Sequence, residues 1–147
     1  METIDLKKEI KYIEQYIALR NSHIDLLLTN SVNKNDTLKW LEKKEIEIRG
    51  IVECNKLLGV VILYIAKGGE IAVFVKDKNR GIGKQLISII EEIAKKNNLH
   101  FVFAWVLKDN NNAKKLFEKC GFLQEGFELK EYNGILFEGV KYTKFLY

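Results

Sequence analysis

The chain has 147 residues, 47% hydrophobic and 30% charged, which suits one soluble domain with its own core and leaves little room for a second. Its net charge of +4 comes from lysines mixed with 20 acids along the sequence, and no basic segment is interleaved with stacking aromatics, so a nucleic-acid platform is not expected. Cys54 and Cys120 stand apart with no CxxC or histidine cluster, no apolar run is long enough to span a bilayer, and METIDLKKEI is charged rather than signal-like; free thiols, no metal, no membrane partner and a cytoplasmic location are the expectations.

Apolar residues at Leu6, Ile10, Ile13 and Ile17, then Ile24, Leu27 and Leu28, predict two helices joined near Arg20-Asn21-Ser22. Asp36-Thr37 can cap a short helix from Leu38 to Lys44 that carries Trp40. Partial alternation over 45–54 and a β-branched run over 57–65 predict two strands about the turn Asn55-Lys56, and a third strand follows over 70–75, after Gly68-Gly69. Ile82, Leu86, Ile89, Ile90 and Ile93 fall at helical spacing. A strand over 100–106 and a helix over 112–119 come next, the helix ending at Cys120-Gly121. A closing hairpin over 127–132 and 136–145 turns at Asn133-Gly134. No repeat, linker or low-complexity segment interrupts the chain, so residues 1–147 read as one domain; the lack of proline and the excess of Lys, Ile and Asn suit an AT-rich bacterial coding sequence.

Where the third strand meets the following helix stands KNRGIGKQL, residues 78–86. A helix start leaves backbone N–H groups unpaired and carries about half a positive charge. Gly81 and Gly83 let an anion approach those groups, and Lys78, Arg80 and Lys84 add attraction. The alternative is a plain strand-to-helix turn with solvated lysines. The spacing is neither the G-x-x-x-x-G-K-S/T of a P-loop nor a dinucleotide fingerprint.

One strand further on lies DNNNAKKLFEKCGF, residues 109–122. Together the two stretches resemble the GNAT acetyltransferase family: KNRGIG is similar to its Q/R-x-x-G-x-G/A pyrophosphate loop and NNNAKKLFEKCGF to its N-x-x-A-x-x-L-Y-x-x-x-G-F segment. The element order is similar over nearly the whole chain. The resemblance implies an α/β (α+β) fold, with a mixed central sheet flanked by helices. It also implies an enzyme that moves an acetyl group from acetyl-CoA to a primary amine without a metal. It assigns the coenzyme pyrophosphate to Lys78, Arg80, Gly81, Ile82, Gly83 and Lys84, the pantetheine arm to Phe74, Val75 and Asn110, and the coenzyme tail to Phe117. Asn110 is equally suited to cap a helix.

Two positions depart from the family pattern. Lys78 stands where Gln or Arg is usual, and Phe117 where many members have a Tyr able to protonate the leaving thiolate. Tyr132 and Tyr142 are candidate replacements. The amine must lose a proton as it attacks. Glu70 and Glu53 are the candidate bases, with His23 and His100 behind them, and surface or structural roles compete for all four.

On the acceptor side, ALRNSHIDLLLTN with TLKWLEKK resembles GNAT proteins that acetylate amino sugars on nucleotide carriers and those that acetylate ribosomal-protein N-termini. The resemblance makes Arg20, Asn21 and Trp40 candidate acceptor contacts, with a core role open for Trp40. A nucleotide-linked 4-amino-4,6-dideoxy-type sugar destined for a bacterial surface glycan is the favoured acceptor, in a monomer or homodimer. A protein N-terminus or small amine, and a non-catalytic acetyl-CoA-binding module, are the alternatives.

Overall fold

A computed structural model describes residues 1–77 and 80–147. The β-branched segments of the middle third form β2 (Ile46–Glu53), β3 (Lys56–Tyr64) and β4 (Glu70–Val75). The tight turn between β2 and β3 sits at Cys54 and Asn55, both at positive φ, one residue ahead of the expected Asn55-Lys56. Ahead of them β1 (Glu2–Asp5) pairs antiparallel with β2. The C-terminal half adds β5 (Phe101–Leu107), β6 (Leu123–Tyr132) and β7 (Ile135–Phe145), the last two joined through Asn133-Gly134. The seven strands form one sheet in the order β1-β2-β3-β4-β5-β7-β6, antiparallel except where β4 meets β5.

Two helices were expected to begin at Leu6. Residues 2–12 instead form β1, a turn and a single 3₁₀ turn (Ile10–Tyr12), and α1 spans Ile13–Asn21 and α2 Ile24–Leu27. The helix expected at Leu38 is α3 (Lys34–Leu41), which starts earlier because the Asn33 side chain, not Asp36, accepts the capping N–H, that of Asp36, at 2.8 Å. α4 (Ile82–Lys96) and α5 (Asn111–Lys119) complete the single domain.

The sheet separates two cores. On one face Ile82, Leu86, Ile87, Ile90 and Ala94 of α4 pack on Val61, Leu63, Ile71, Val102 and Val140, with Phe117 from α5. On the other, Tyr16 and Leu19 of α1 and Leu41 of α3 cover Ile48, Val60, Ile62 and Phe74. Each fully buried Leu or Ile contributes about 1.5–3 kcal/mol, so α4, whose buried side follows a strict helical stripe, is firmly seated. Strand alternation divides β4 between the two cores: Phe74 enters the α1 side, while Val73 and Val75 face α4.

Candidate active site

β4 and β5 are parallel and share a single register pair, Glu70↔Phe103, fixed by the Phe103 N–H donating to the Gly69 carbonyl at 3.0 Å. Beyond it the strands part. On its other side β4 is paired with β3 along its whole length, and just past its end the Lys76 N–H donates to the Leu58 carbonyl. Backbone groups alternate in direction along a strand, so those of Val73 and Val75 turn from β3 toward the opening. A cleft of about 400 Å³ lies there, walled by Val73 and Val75, the start of α4, the outer side of α5, and His23 and Leu26.

The start of α4 forms one end of this cleft. Gly81 is the N-cap, at a φ of +74° that disfavours any residue with a Cβ, and no side chain caps the helix there. The first N–H groups of α4 thus face a wall of the cleft that includes Gly81, Ile82, Gly83 and Lys84. Gly83 is needed for a different reason: a Cβ there would lie 2.9 Å from Leu116 Cδ2. This helix start has the chemistry to receive an anion, with Lys84 and, from α5, Lys115 and Lys119 also on the cleft wall. Arg80 also lines it, with its guanidinium 3.1 Å from the Glu53 carboxylate. Lys78 lies outside the described residues.

Just ahead of α5, Asn110 caps the helix, its Oδ1 accepting the Ala113 N–H at 3.3 Å, and it also lines the cleft. Asn112, Lys115, Leu116 and Lys119 line it too. These were missed, although their i, i+3, i+4 spacing marks a single stripe of the helix. Phe117 falls off that stripe. It is 5% exposed and packs edge-on to Phe122 at 5.0 Å and against Tyr142 at 6.1 Å, outside the cleft lining. Phe74 is likewise a core side chain, and its backbone groups turn to β3 opposite Val60.

The candidate bases are dispersed. Glu53 ends β2 and holds Arg80; Glu70 begins β4 opposite Tyr64 and Phe103. His100 precedes β5 and packs on Tyr147 at 5.4 Å. None of these three lines the cleft, whereas His23 does. Of the two tyrosines, Tyr142 is buried, its hydroxyl 3.0 Å from Glu118, and its pKa is raised by burial first and by that hydrogen bond next. The Tyr132 hydroxyl lies 3.1 Å from both the Thr29 carbonyl and Asn30 Oδ1, tying the β6–β7 turn to the segment after α2.

The acceptor candidates hold that same segment in shape. Arg20 donates to the Asn30 carbonyl and to Thr29 Oγ1, and the Asn21 amide exchanges two hydrogen bonds with the Val32 backbone, at 2.9 and 3.2 Å. Trp40 stacks on Tyr16 with centroids 6.1 Å apart. Burial pushes the Tyr16 hydroxyl well above its ordinary pKa despite the Arg20 guanidinium nearby, so it stays neutral. Among the described residues no cluster of three or more His, Cys, Asp or Glu could hold a metal ion, and no helix is long and apolar enough to cross a membrane.

A strand edge left open beside an uncapped glycine helix start has the form to receive an extended, phosphate-bearing molecule. The acetyltransferase (GNAT) family model matches residues 13–122, and the chain belongs to that family. This supports acetyl-CoA-dependent N-acetyl transfer as its class of activity. Comparison with curated proteins gave no match. Among solved structures, the chain is similar in fold to an N-acetyltransferase from Staphylococcus aureus Mu50 (17% identity, all of both chains, TM-score 0.83). It is similar also to a ribosomal-protein-alanine N-acetyltransferase from Brucella melitensis (16%, 99% of each chain, 0.82). A third is a spermidine N-acetyltransferase from Vibrio cholerae in complex with CoA and spermine (19%, 99% of this chain and 95% of that one, 0.78).

Proposed function

We propose that the protein acetylates the primary amine of a nucleotide-linked amino-deoxy sugar at the expense of acetyl-CoA. The observation that carries the transfer reaction is the junction of the open β4 edge with the helix start at Gly81: an extended amide-bearing arm can add to the edge as a strand does, while its pyrophosphate meets the α4 N–H groups. Acetyl-CoA supplies an activated acyl group. Val73 and Val75 would orient its arm through their backbone groups, and an amide of this edge would stabilise the developing oxyanion. Lys84, Lys115 and Lys119 would neutralise the phosphates.

Two features support a nucleotide carrier on the acceptor. The β5–β7 half of the sheet face that α1 and α3 leave uncovered carries the rings of Phe101, Phe103 and Trp105, on which a base can stack. Lys141 lies over the Phe103 ring at 4.8 Å and 3.8 Å from the Glu125 carboxylate, and Lys130 lies over Trp105 at 5.3 Å; a diphosphate on this face would compete for these two cations. Arg20, bonded to Thr29 and Asn30, would position the neighbouring segment.

Thiol release should be followed with acetyl-CoA and a panel of nucleotide-linked 4-amino sugars, peptides with free N-termini and polyamines. Turnover with an amino-sugar nucleotide is expected. Acetylation of peptides alone would refute the acceptor and keep the transferase, and tight acetyl-CoA binding without release by any amine would leave a binding module.

A further inference from the structure

We infer that His23 is the general base of this cleft, taking the proton of the acceptor amine on Nε2; the inference rests on the acetyltransferase reading above. His23 stands between α1 and α2, where it packs edge-on to Phe74 at 5.9 Å and lines the cleft beside Leu26. It is therefore attached to the strand whose open edge forms the cleft wall.

The surroundings of the ring decide which nitrogen is basic. Nδ1 lies 2.9 Å from the Leu19 carbonyl and 3.0 Å from Ser22 Oγ. A carbonyl can only accept, and the single proton of Ser22 is already donated to that same carbonyl at 2.6 Å. Both neighbours of Nδ1 are thus acceptors, and the hydrogen of the neutral ring belongs on Nδ1. Nε2 keeps its lone pair, and no hydrogen bond from the described residues engages it. An imidazole held by a carbonyl through Nδ1, on a residue that lines the cleft, is arranged to accept a proton at its other nitrogen.

The other charged groups of the cleft do not fit the task. Arg80, Lys84, Lys115 and Lys119 are cations that suit phosphate; Asp77, two residues past the end of β4, is the one carboxylate among the described lining residues, and Asp77→Asn should leave the acid limb of the pH profile in place. On the histidine's own segment Arg20 is bonded to Thr29 and Asn30, and Asp25 follows in α2. On the far side of Phe74, Tyr16 is held neutral by burial.

In the step, an ammonium acceptor gives one proton to Nε2 and its freed nitrogen bonds to the acyl carbon. The carbon–sulfur bond then breaks, the leaving sulfur takes the proton back from Nε2, and the new amide sheds its second proton to water. Atoms and charge balance with no further reactant, and no tyrosine is needed at position 117.

His23→Gln and His23→Ala test this. Both are expected to lower kcat/KM for the amine by about 10²–10⁴-fold, while acetyl-CoA affinity changes far less and the unfolding midpoint falls only slightly, by the loss of the Leu19 hydrogen bond and the Phe74 contact. The limb on which wild-type kcat/KM falls as pH drops through protonation of the imidazole should vanish in both variants, and added imidazole should partly restore His23→Ala. In the unmutated protein, ¹⁵N spectra of the ring should show hydrogen on Nδ1 and a bare Nε2. Variants that turn over at the wild-type rate with the acid limb intact, or a neutral ring protonated at Nε2, would overturn the inference and leave the transferase standing. Failure of the wild-type protein to release thiol with any amine would overturn both.

Discussion

Gly83 and Leu116 meet where α4 and α5 close the cleft, and the space between them is smaller than a methyl group: a Cβ on Gly83 would lie 2.9 Å from Leu116 Cδ2 and 3.5 Å from Val75 Cγ2. Gly83→Ala should therefore turn the Leu116 side chain away, its packing cost set against the helix preference of Ala, so that net stability moves by no more than about 1 kcal/mol while the displaced Leu116 narrows the cleft and weakens acetyl-CoA binding. Leu116→Ala removes the opposing methyls, so the double variant should be more stable than the sum of the single losses predicts. Urea titrations of the four proteins measure that coupling.

Arg80 and Glu53 form an ion pair in which each side chain is 42% exposed. Exposed pairs are worth about 1 kcal/mol or less, so Glu53→Gln should hardly move the unfolding midpoint. It frees a guanidinium at the phosphate end of the cleft. Acetyl-CoA affinity should rise at low ionic strength and the gain should fade with added salt, while kcat and its pH profile stay unchanged. Calorimetry at two salt concentrations together with steady-state rates checks this, and a collapse of kcat would restore Glu53 as a base.

Tyr132 anchors the β6–β7 turn to Thr29 and Asn30, the same segment that Arg20 and Asn21 brace. Tyr132→Phe removes a partly exposed hydrogen bond worth about 0.5–1.5 kcal/mol. Its larger expected effect is functional: KM for the acceptor should rise severalfold while KM for acetyl-CoA is unaltered, as full kinetics with both substrates varied would show.

The two thiols differ in environment. Cys54 is exposed on the β2–β3 turn, whereas Cys120 is partly buried, its pKa raised by burial first and by the nearby Glu91 second. A raised pKa means less thiolate at neutral pH. Iodoacetamide should label Cys54 well before Cys120, and mass spectrometry over a time course reads the order.

Much of this architecture was legible in the sequence where one force dominates. β4 and α4 stand where expected because a β-branched run ends, a glycine takes up a left-handed conformation, and a 3.6-residue stripe begins at Ile82. The same periodicity misled at Leu6, Ile10 and Ile13, which belong to a turn, a 3₁₀ turn and a helix: Leu6 and Ile13 are buried in one core while Ile10 is exposed; β1, four residues with one buried side chain, is too short to carry an alternation. The glycine wall of the cleft was readable in position, because Gly81 and Gly83 stand where a strand ends and a helical stripe begins. The other end was not. His23, Leu26 and Val73 come together through packing, and nothing in the spacing of Arg20, Asn21 and Trp40 tells that the first two brace the segment after α2 and the third stacks on Tyr16 instead of lining the cleft.

The claim that an acetyl-CoA molecule lies along the open edge of β4, with its pyrophosphate at the start of α4, is tested most directly by an amide-resolved NMR titration of the ¹⁵N-labelled protein with acetyl-CoA. The account predicts saturable shifts that are largest at Gly81, Ile82, Gly83 and Lys84 and continue through Val73, Val75 and Asn110, leaving the β1–β2 edge unmoved. Saturation with those amides unshifted, or with the largest changes away from the β4–β5 opening, would contradict it.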